Sequence, residues 1–273
     1  MAIESARTPL DTDALRAGLP AGWRTLDVVD ETGSTNADLL ARAAAGEDVA
    51  GRVLLTEYQS AGRGRHGRQW TAPPRSQVAM SVGVDVDGVR PDAWGWLPLL
   101  TGVAVRDAVE EVSAVDAGLK WPNDVLVGDG KLAGILAEVA APQRVVIVGI
   151  GLNVSLSAAE APDPRATSLT TLGATHHDRT VLATTILRFL GVRVAAWRRA
   201  GGADRALVDD YRRHSLTLGR EVRATLPGDR FLEGTASDID DLGRLTITSG
   251  RDSVTVAAGD ITHLRPVSTD NRG

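Results

Sequence analysis

Apolar and polar positions alternate along this chain with two different periods. Residues 25–46, TLDVVDETGSTNADLLARAAAG, predict a strand, a polar turn and a helix. Ser34 or Thr35 caps that helix, and Gly46 suits the position just past its end. GRVLLTEYQ (51–59) predicts a strand running into a loop, and QVAMSVGVDV (77–86) a second, alternating strand. Residues 93–112 carry the 3.6-residue period of a helix packed on a sheet. Residues 124–140 predict a hairpin turning at Asp129-Gly130, and 143–156 a buried strand entering a loop. Two further helices are expected over 178–199 and 203–214. From about residue 215 the pattern changes to short strands separated by turns, which predicts a small closed β-barrel of about 50 residues. The expected class is α+β: a central mixed, mostly antiparallel sheet flanked by helices, followed by the small barrel. The corresponding division is a lead-in over 1–24, a main domain over 25–214, the barrel over 215–268 and a tail over 269–273.

A chain of 273 residues has room for a medium domain and a small one. No stretch approaches the ~20 apolar residues of a membrane span. The polar N-terminus lacks the apolar run of a signal peptide. The absence of cysteine excludes disulfides, thiolate zinc sites and cysteine nucleophiles, and fits a reducing cytoplasm. A formal net charge of −5 argues against broad nucleic-acid binding. Of the 30 basic residues only two are lysines, Lys120 and Lys131, and both lie in KWPNDVLVGDGK. Where surface charge is otherwise written as arginine, a compact ammonium on a thin stem calls for a chemical reason.

Against the acidic background, AGRGRHGRQW (61–70) concentrates Arg63, Arg65 and Arg68 on a glycine-rich backbone. GRGRHG matches G-x-G-x-x-G literally, but Pro73-Pro74 forbid the helix that a dinucleotide fold needs next, and no Gly-Lys-Ser/Thr closes a P-loop. Two readings remain open. One is a loop that folds around a polyphosphate, with glycines allowing close backbone approach and arginine forks holding oxygens. The other is a solvated surface loop or an Arg-Gly RNA contact.

In the two-lysine stretch, Asn123 and Asp124 precede a strand and Lys131 follows the turn. A tight hairpin would point Asp124 and Lys131 into one cleft. Gly134, expected on the same face as Lys131, leaves room for something pressed against the sheet. Ser34, Thr35 and Asn36 sit at a helix start; one hydroxyl caps it, and the others, with free backbone N–H groups, suit a small polar ligand. Gln59 ends the neighbouring strand. In GIGLN, Gly149 and Gly151 precede Asn153 at a strand end that suits a purine, or else a simple bulge.

STN, YQSAGRGRHGRQW, KWPNDVLVGDGKLAGILAE and GIGLNV, in this order, resemble the biotin protein ligase family, biotin–[acetyl-CoA-carboxylase] ligase, over about residues 26–267. The resemblance implies a class II synthetase-like catalytic domain with an SH3-like (Src-homology-3-like) β-barrel. It implies ATP and biotin as substrates, with Mg²⁺, and a two-step reaction through biotinyl-5′-AMP. The implied acceptor is a lysine of a biotin carboxyl carrier protein or domain. It implies that Lys131, Arg65 and Asp124 act in catalysis. Ser34, Thr35, Asn36, Gln59, Arg63, Gly64, Arg65, Lys131 and Gly134 would bind biotin. Arg63, Arg65, Arg68, Trp70, Asn123, Lys131, Gly149, Gly151 and Asn153 would bind ATP or the adenylate, with Asn153 and the two glycines near the adenine. Metal ligands are not specified. The terminal-strand Arg265 is a further basic residue within conceivable reach of the nucleotide.

Residues 1–24 are too few for the helix-turn-helix repressor domain of some members, so no DNA binding is expected, nor any membrane partner. The enzyme is expected to be cytoplasmic, as a monomer or weak homodimer. The arginine loop is expected to be disordered without ligand. A lipoate or octanoate ligase of the related family is the alternative within the same chemistry, and an Arg-Gly RNA-binding protein the alternative outside it.

Overall fold

The computed structural model describes residues 7–142, 144–226, 228, 230–261 and 263–266. Seven strands form the main sheet: β1 (Thr25–Thr32), β2 (Arg52–Gln59), β3 (Gln77–Asp85), β4 (Gly118–Lys120), β5 (Asp124–Val127), β6 (Gly130–Ala140) and β7 (Val145–Asn153). Their order is β1-β2-β3-β7-β6-β5-β4. Only β1 and β2 pair in parallel, because α2 (Thr35–Ala44) carries the chain from one to the other. All other neighbours are antiparallel.

Helix α2 starts where the sequence predicts. Ser34 is its N-cap, accepting from the Ala37 N–H, and Gly46 takes φ +87 just beyond its end. Helices α3 (Trp96–Ser113) and α4 (Arg179–Ala200) cover the opposite face of the sheet, and α5 (Arg205–His214) packs beside α3. One large apolar core lies between α3, α4 and the sheet; a second, smaller one lies under α2. Strand β3 is therefore buried at all but its last position, rather than on one face as its alternation predicted.

Four further expectations need correction. Residues 7–24 are not merely a lead-in: α1 (Thr12–Ala17) contacts β1 and α4, Leu10, Leu15 and Trp23 join the main core, and Trp23 donates to the Leu187 carbonyl at 2.9 Å. The hairpin turns at Gly128-Asp129, one residue earlier than expected, with Val127 paired to Gly130 and Gly128 at φ +56. The short strand β4 was not foreseen. Helix α4 is, among the described residues, long and apolar enough to cross a membrane by length and composition, but Leu182, Ile186, Leu187, Leu190 and Trp197 are buried in the core.

The C-terminal unit is the expected SH3-like one. It contains β8 (Glu221–Leu226), β9 (Arg230–Ile239), β10 (Leu245–Ser249), β11 (Asp252–Val256) and β12 (His263–Pro266), antiparallel in the order β11-β10-β9-β8-β12. The segments expected at 267–268 and 269–273 lie outside the described residues. Tryptophans anchor this unit to the main domain: Trp121 Nε1 donates to the Gly243 carbonyl at 3.0 Å and Trp96 Nε1 to the Asp240 carbonyl at 3.2 Å. Both rings are fully buried, so each contributes apolar area as well as a satisfied N–H.

Candidate functional site

The sheet face that carries α2 is left open where β5, β6 and β7 run past the end of the helix. There Lys131 Nζ meets Asp124 Oδ1 at 2.6 Å. Strict alternation would put Lys131 and Gly134, three residues apart, on opposite faces. A bulge restores them to one face: Leu126 pairs with Lys131 but Val125 pairs with Ala133, so two steps along β6 oppose one along β5. A Cβ built on Gly134 would stand 3.2 Å from Lys131 Cε. The Lys131 backbone is stapled on its other side by the loop after β7, its N–H donating to the Arg165 carbonyl at 2.6 Å and its carbonyl accepting from Thr167 at 3.0 Å. Asn153, buried, donates to the carbonyls of Lys131 and Thr167. It holds this loop against the strand.

Trp70 roofs the same spot. Its ring centre lies 5.4 Å from Lys131 Nζ, and its Nε1 donates to Gln77 Oε1 at 2.5 Å. The indole rests on bare glycine: a Cβ on Gly151 would meet Trp70 Cε2 at 2.4 Å, and one on Gly134 would meet Cζ3 at 3.0 Å. Gly149 is bare for another reason, since a Cβ there would stand 2.3 Å from Asn36 Oδ1.

Trp70 and Asn123 line both of two adjoining cavities. The larger, about 380 Å³, is bounded by Arg65, Arg68, Lys120, Asp124, Lys131 and Arg265, with Asn153 and Arg165 at its edge. The smaller, about 40 Å³, is bounded by Ser34, Thr35, Asn36, Gln59, Arg63 and Gly134, with Gly149 and Gly151 as its floor. Every residue singled out in the sequence except Gly64 therefore lines one cavity or the other. The two glycines line the small cavity beside the helix start.

The small cavity is walled by a polar network. Gln59 Oε1 accepts from the Thr35 N–H at 3.0 Å. Ser81 Oγ lies 2.7 Å from Thr35 Oγ1 and 2.6 Å from Asn36 Oδ1. Asn36 Nδ2 donates to the Leu136 carbonyl at 3.2 Å and to Glu138 Oε2 at 2.9 Å.

The arginine loop is folded in this structure. Gly64 donates to the Arg68 carbonyl, Trp70 to the Gly62 carbonyl, and Arg63 bridges Gln69. A residue at position 62 with a Cβ would strike the Trp70 carbonyl at 2.2 Å. Arg63 pairs with Glu138 at 2.8 Å. Arg65 donates to Asn123 Oδ1 at 3.4 Å and, from the other side, to the Ala258 carbonyl of the C-terminal unit at 2.5 Å. Burial lowers the Arg65 pKa from its ordinary value, with Asp124 opposing the shift.

Sequence reasoning gave Lys120 no assigned role and left Arg165 and Glu138 out of the site. Lys120 lines the larger cavity, and desolvation lowers its pKa against the pull of Asp124. The scarcity of lysine was its signal. Arg165 lies in a loop without a recognisable pattern. Glu138 closes the motif KLAGILAE, where it reads as an ordinary solvent-facing strand position.

An ammonium and several guanidinium groups converge on one open cavity, next to a small polar one that meets it under an indole. That arrangement suits the joining of an anionic acid to a polyphosphate. Residues 30–155 match the Biotin/lipoate A/B protein ligase family, and residues 217–264 match the Biotin protein ligase C terminal domain. The chain is 54% identical over 265 residues to Biotin–[acetyl-CoA-carboxylase] ligase of Mycobacterium tuberculosis, a match covering 95% of this chain and 97% of that one. It is 30% identical to the bifunctional ligase/repressor BirA of Escherichia coli over 81% of this chain and 68% of the relative. Among solved structures, the biotin protein ligase from Aquifex aeolicus in complex with biotin and ATP superimposes with a TM-score of 0.77 at 26% identity, covering 90% of this chain and all of that one. The chain belongs to the biotin protein ligase family.

Proposed function

We infer that this protein is an ATP-dependent ligase that attaches biotin to a lysine of a biotin carboxyl carrier protein or domain. The observation that carries the mechanism is Lys131, held by Asp124 in the larger cavity and lying beside Gly134 of the smaller one. In the first step a biotin carboxylate oxygen attacks the α-phosphorus of ATP. The bond from that phosphorus to the bridging oxygen breaks and pyrophosphate leaves. In the second, the acceptor amine attacks the acyl carbon of biotinyl-5′-AMP, an amide forms, and AMP and a proton are released.

Two anions must meet in the first step, so fixed positive charge does most of the work. The Lys131 ammonium spans the carboxylate and the α-phosphate, and Asp124 keeps it oriented. Arg65 and Arg68 neutralise the phosphates in the larger cavity, with Arg63 and the Gly64 backbone closing over the acid. Asn123 fixes Arg65, and Asn153 acts through the Lys131 backbone. Trp70 separates acid from nucleotide and covers the labile anhydride. Ser34, Thr35, Asn36, Gln59 and Gly134 shape the acid cavity. Gly149 and Gly151 form its floor.

Mg²⁺ arrives with the triphosphate. Among the described residues no group of three His, Asp or Glu side chains gathers to form a metal cage. The enzyme works in the cytoplasm as a monomer or weak homodimer. Transfer of labelled biotin to a purified biotin carboxyl carrier domain tests the reading. Incorporation that needs ATP and the acceptor lysine, and is lost in Lys131→Ala, supports it. Incorporation of lipoate or octanoate instead would assign the neighbouring activity.

A further inference from the structure

The small cavity has space for a few waters at about 40 Å³, and its walls include Arg63 of the loop and Ser34, Thr35 and Asn36 at the start of α2. One side chain touches both. Glu138, on β6, uses Oε1 to accept from Arg63 Nη2 at 2.8 Å and Oε2 to accept from Asn36 Nδ2 at 2.9 Å. Its side chain is about one-fifth exposed, so this carboxylate is partly shielded from water.

The Asn36 amide is fully committed. Its two N–H groups go to Glu138 and the Leu136 carbonyl, and its oxygen faces Ser81. It has no donor left for a ligand. Its place is to hold Ser81, and through it Thr35 and Gln59, in register above the floor at Gly149. Glu138 in turn fixes Arg63, the first arginine of the loop, whose backbone then leads to Gly64 and Arg65.

We propose that Glu138 is a positioning residue for acid recognition, coupling closure of the arginine loop to the polar wall of the acid cavity. The proposal rests on the ligase reading above. Loss of this carboxylate releases Arg63 and lets the Asn36 amide rotate, while the nucleotide cavity keeps Lys131, Asp124, Arg65 and Arg68. The isosteric glutamine keeps an acceptor for Asn36 but loses the ion pair, so it separates the two ties.

The experiment uses the full chain, with Glu138→Ala, Glu138→Gln, Arg63→Gln and the double variant Glu138→Gln/Arg63→Gln, in biotin-dependent ATP–pyrophosphate exchange. The expected result is a rise of about tenfold in the biotin KM for alanine and about threefold for glutamine, with the ATP KM and kcat within twofold. Adding Arg63→Gln to Glu138→Gln should cost little more than the larger single effect. Hydrogen exchange over 62–70 on the protein alone should quicken in Glu138→Ala, because the Gly64 and Trp70 amide bonds lose their anchor. An unchanged biotin KM with unchanged exchange overturns the proposal. So does a parallel rise in both KM values with a lowered Tm, which marks a merely structural residue. A wild type that turns over no acid overturns the functional reading instead, and the hydrogen-exchange arm still reads the Arg63–Glu138 tie.

Discussion

Gly151→Ala adds one methyl group to the floor under Trp70. Its Cβ would stand 2.4, 2.6 and 2.8 Å from Cε2, Nε1 and Cζ2 of the indole, all below the closest approach that real Cβ atoms make. Position 151 lies within β7, so backbone strain is not the issue and the cost is steric. The indole is pinned by Gln77, so it must either tilt away, giving up that 2.5 Å hydrogen bond and its 5.4 Å contact with Lys131, or push β7 outward. Overpacking of this kind costs roughly 1–3 kcal/mol, which becomes a loss of about 5- to 160-fold when it falls on the transition state. Gly134→Ala is the internal control, because its nearest approach is 3.0 Å and two of its three contacts are to the flexible end of Lys131. The assay is kcat/KM for biotin-dependent ATP–pyrophosphate exchange, with Tm followed alongside. The expected order is wild type, then Gly134→Ala, then Gly151→Ala, with Tm changing little because the clash lies at a cavity wall. A Gly151→Ala enzyme with wild-type kcat/KM would refute the seating of Trp70 on the glycine floor.

Hydrogen exchange over 62–69 should slow further when biotin and ATP are both added, and no added protection would remove the loop from ligand closure. Prolonged turnover should leave the enzyme almost free of self-biotinylation, since its only two lysines both line the nucleotide cavity. Lys120 is the residue to watch in the mass spectrum: its lowered pKa puts more of it in the neutral, nucleophilic form than an ordinary lysine at the same pH, and heavy labelling there would refute the idea. Glu160 pairs with Arg7 at 2.7 Å, and that guanidinium first, with Ser157 adding to it, holds its pKa at about 2 against an ordinary 4.5. A depressed carboxyl pKa contributes stability above the unfolded value and loses it as pH falls through the folded one. The Tm difference between wild type and Glu160→Gln should therefore be full above pH 4.5 and fade towards pH 2; a difference independent of pH would contradict the pairing.

The regular elements were legible because one pattern decided each. Ser34 or Thr35 and Gly46 bracketed α2 to within one residue, and the alternation in residues 124–140 fixed the hairpin to within one residue. Two features were illegible for physical reasons. The bulge that brings Gly134 alongside Lys131 arises from pairing between strands, which a single strand's sequence does not carry. The packing of Leu10, Leu15 and Trp23 depends on α4, which lies more than 150 residues away along the chain. In the site, rarity did the most: two lysines in a chain written with arginine led to Asp124–Lys131 directly. Glu138 and Arg165 escaped because a charged residue on a strand or loop looks like ordinary surface until its partners are known. Gly149 and Gly151 were read as a strand end that suits a purine or as a simple bulge; the contacts of Asn36 and Trp70 with them depend on distant segments that the strand's own sequence does not show.

The most direct test of the central claim is ATP–pyrophosphate exchange by the purified protein with magnesium, supplied with biotin, lipoate, octanoate or no acid. Exchange with biotin alone, abolished in Lys131→Ala and reduced in Arg65→Ala, is the predicted result. Exchange with lipoate or octanoate but not biotin, or none with any acid in a folded protein, would contradict it.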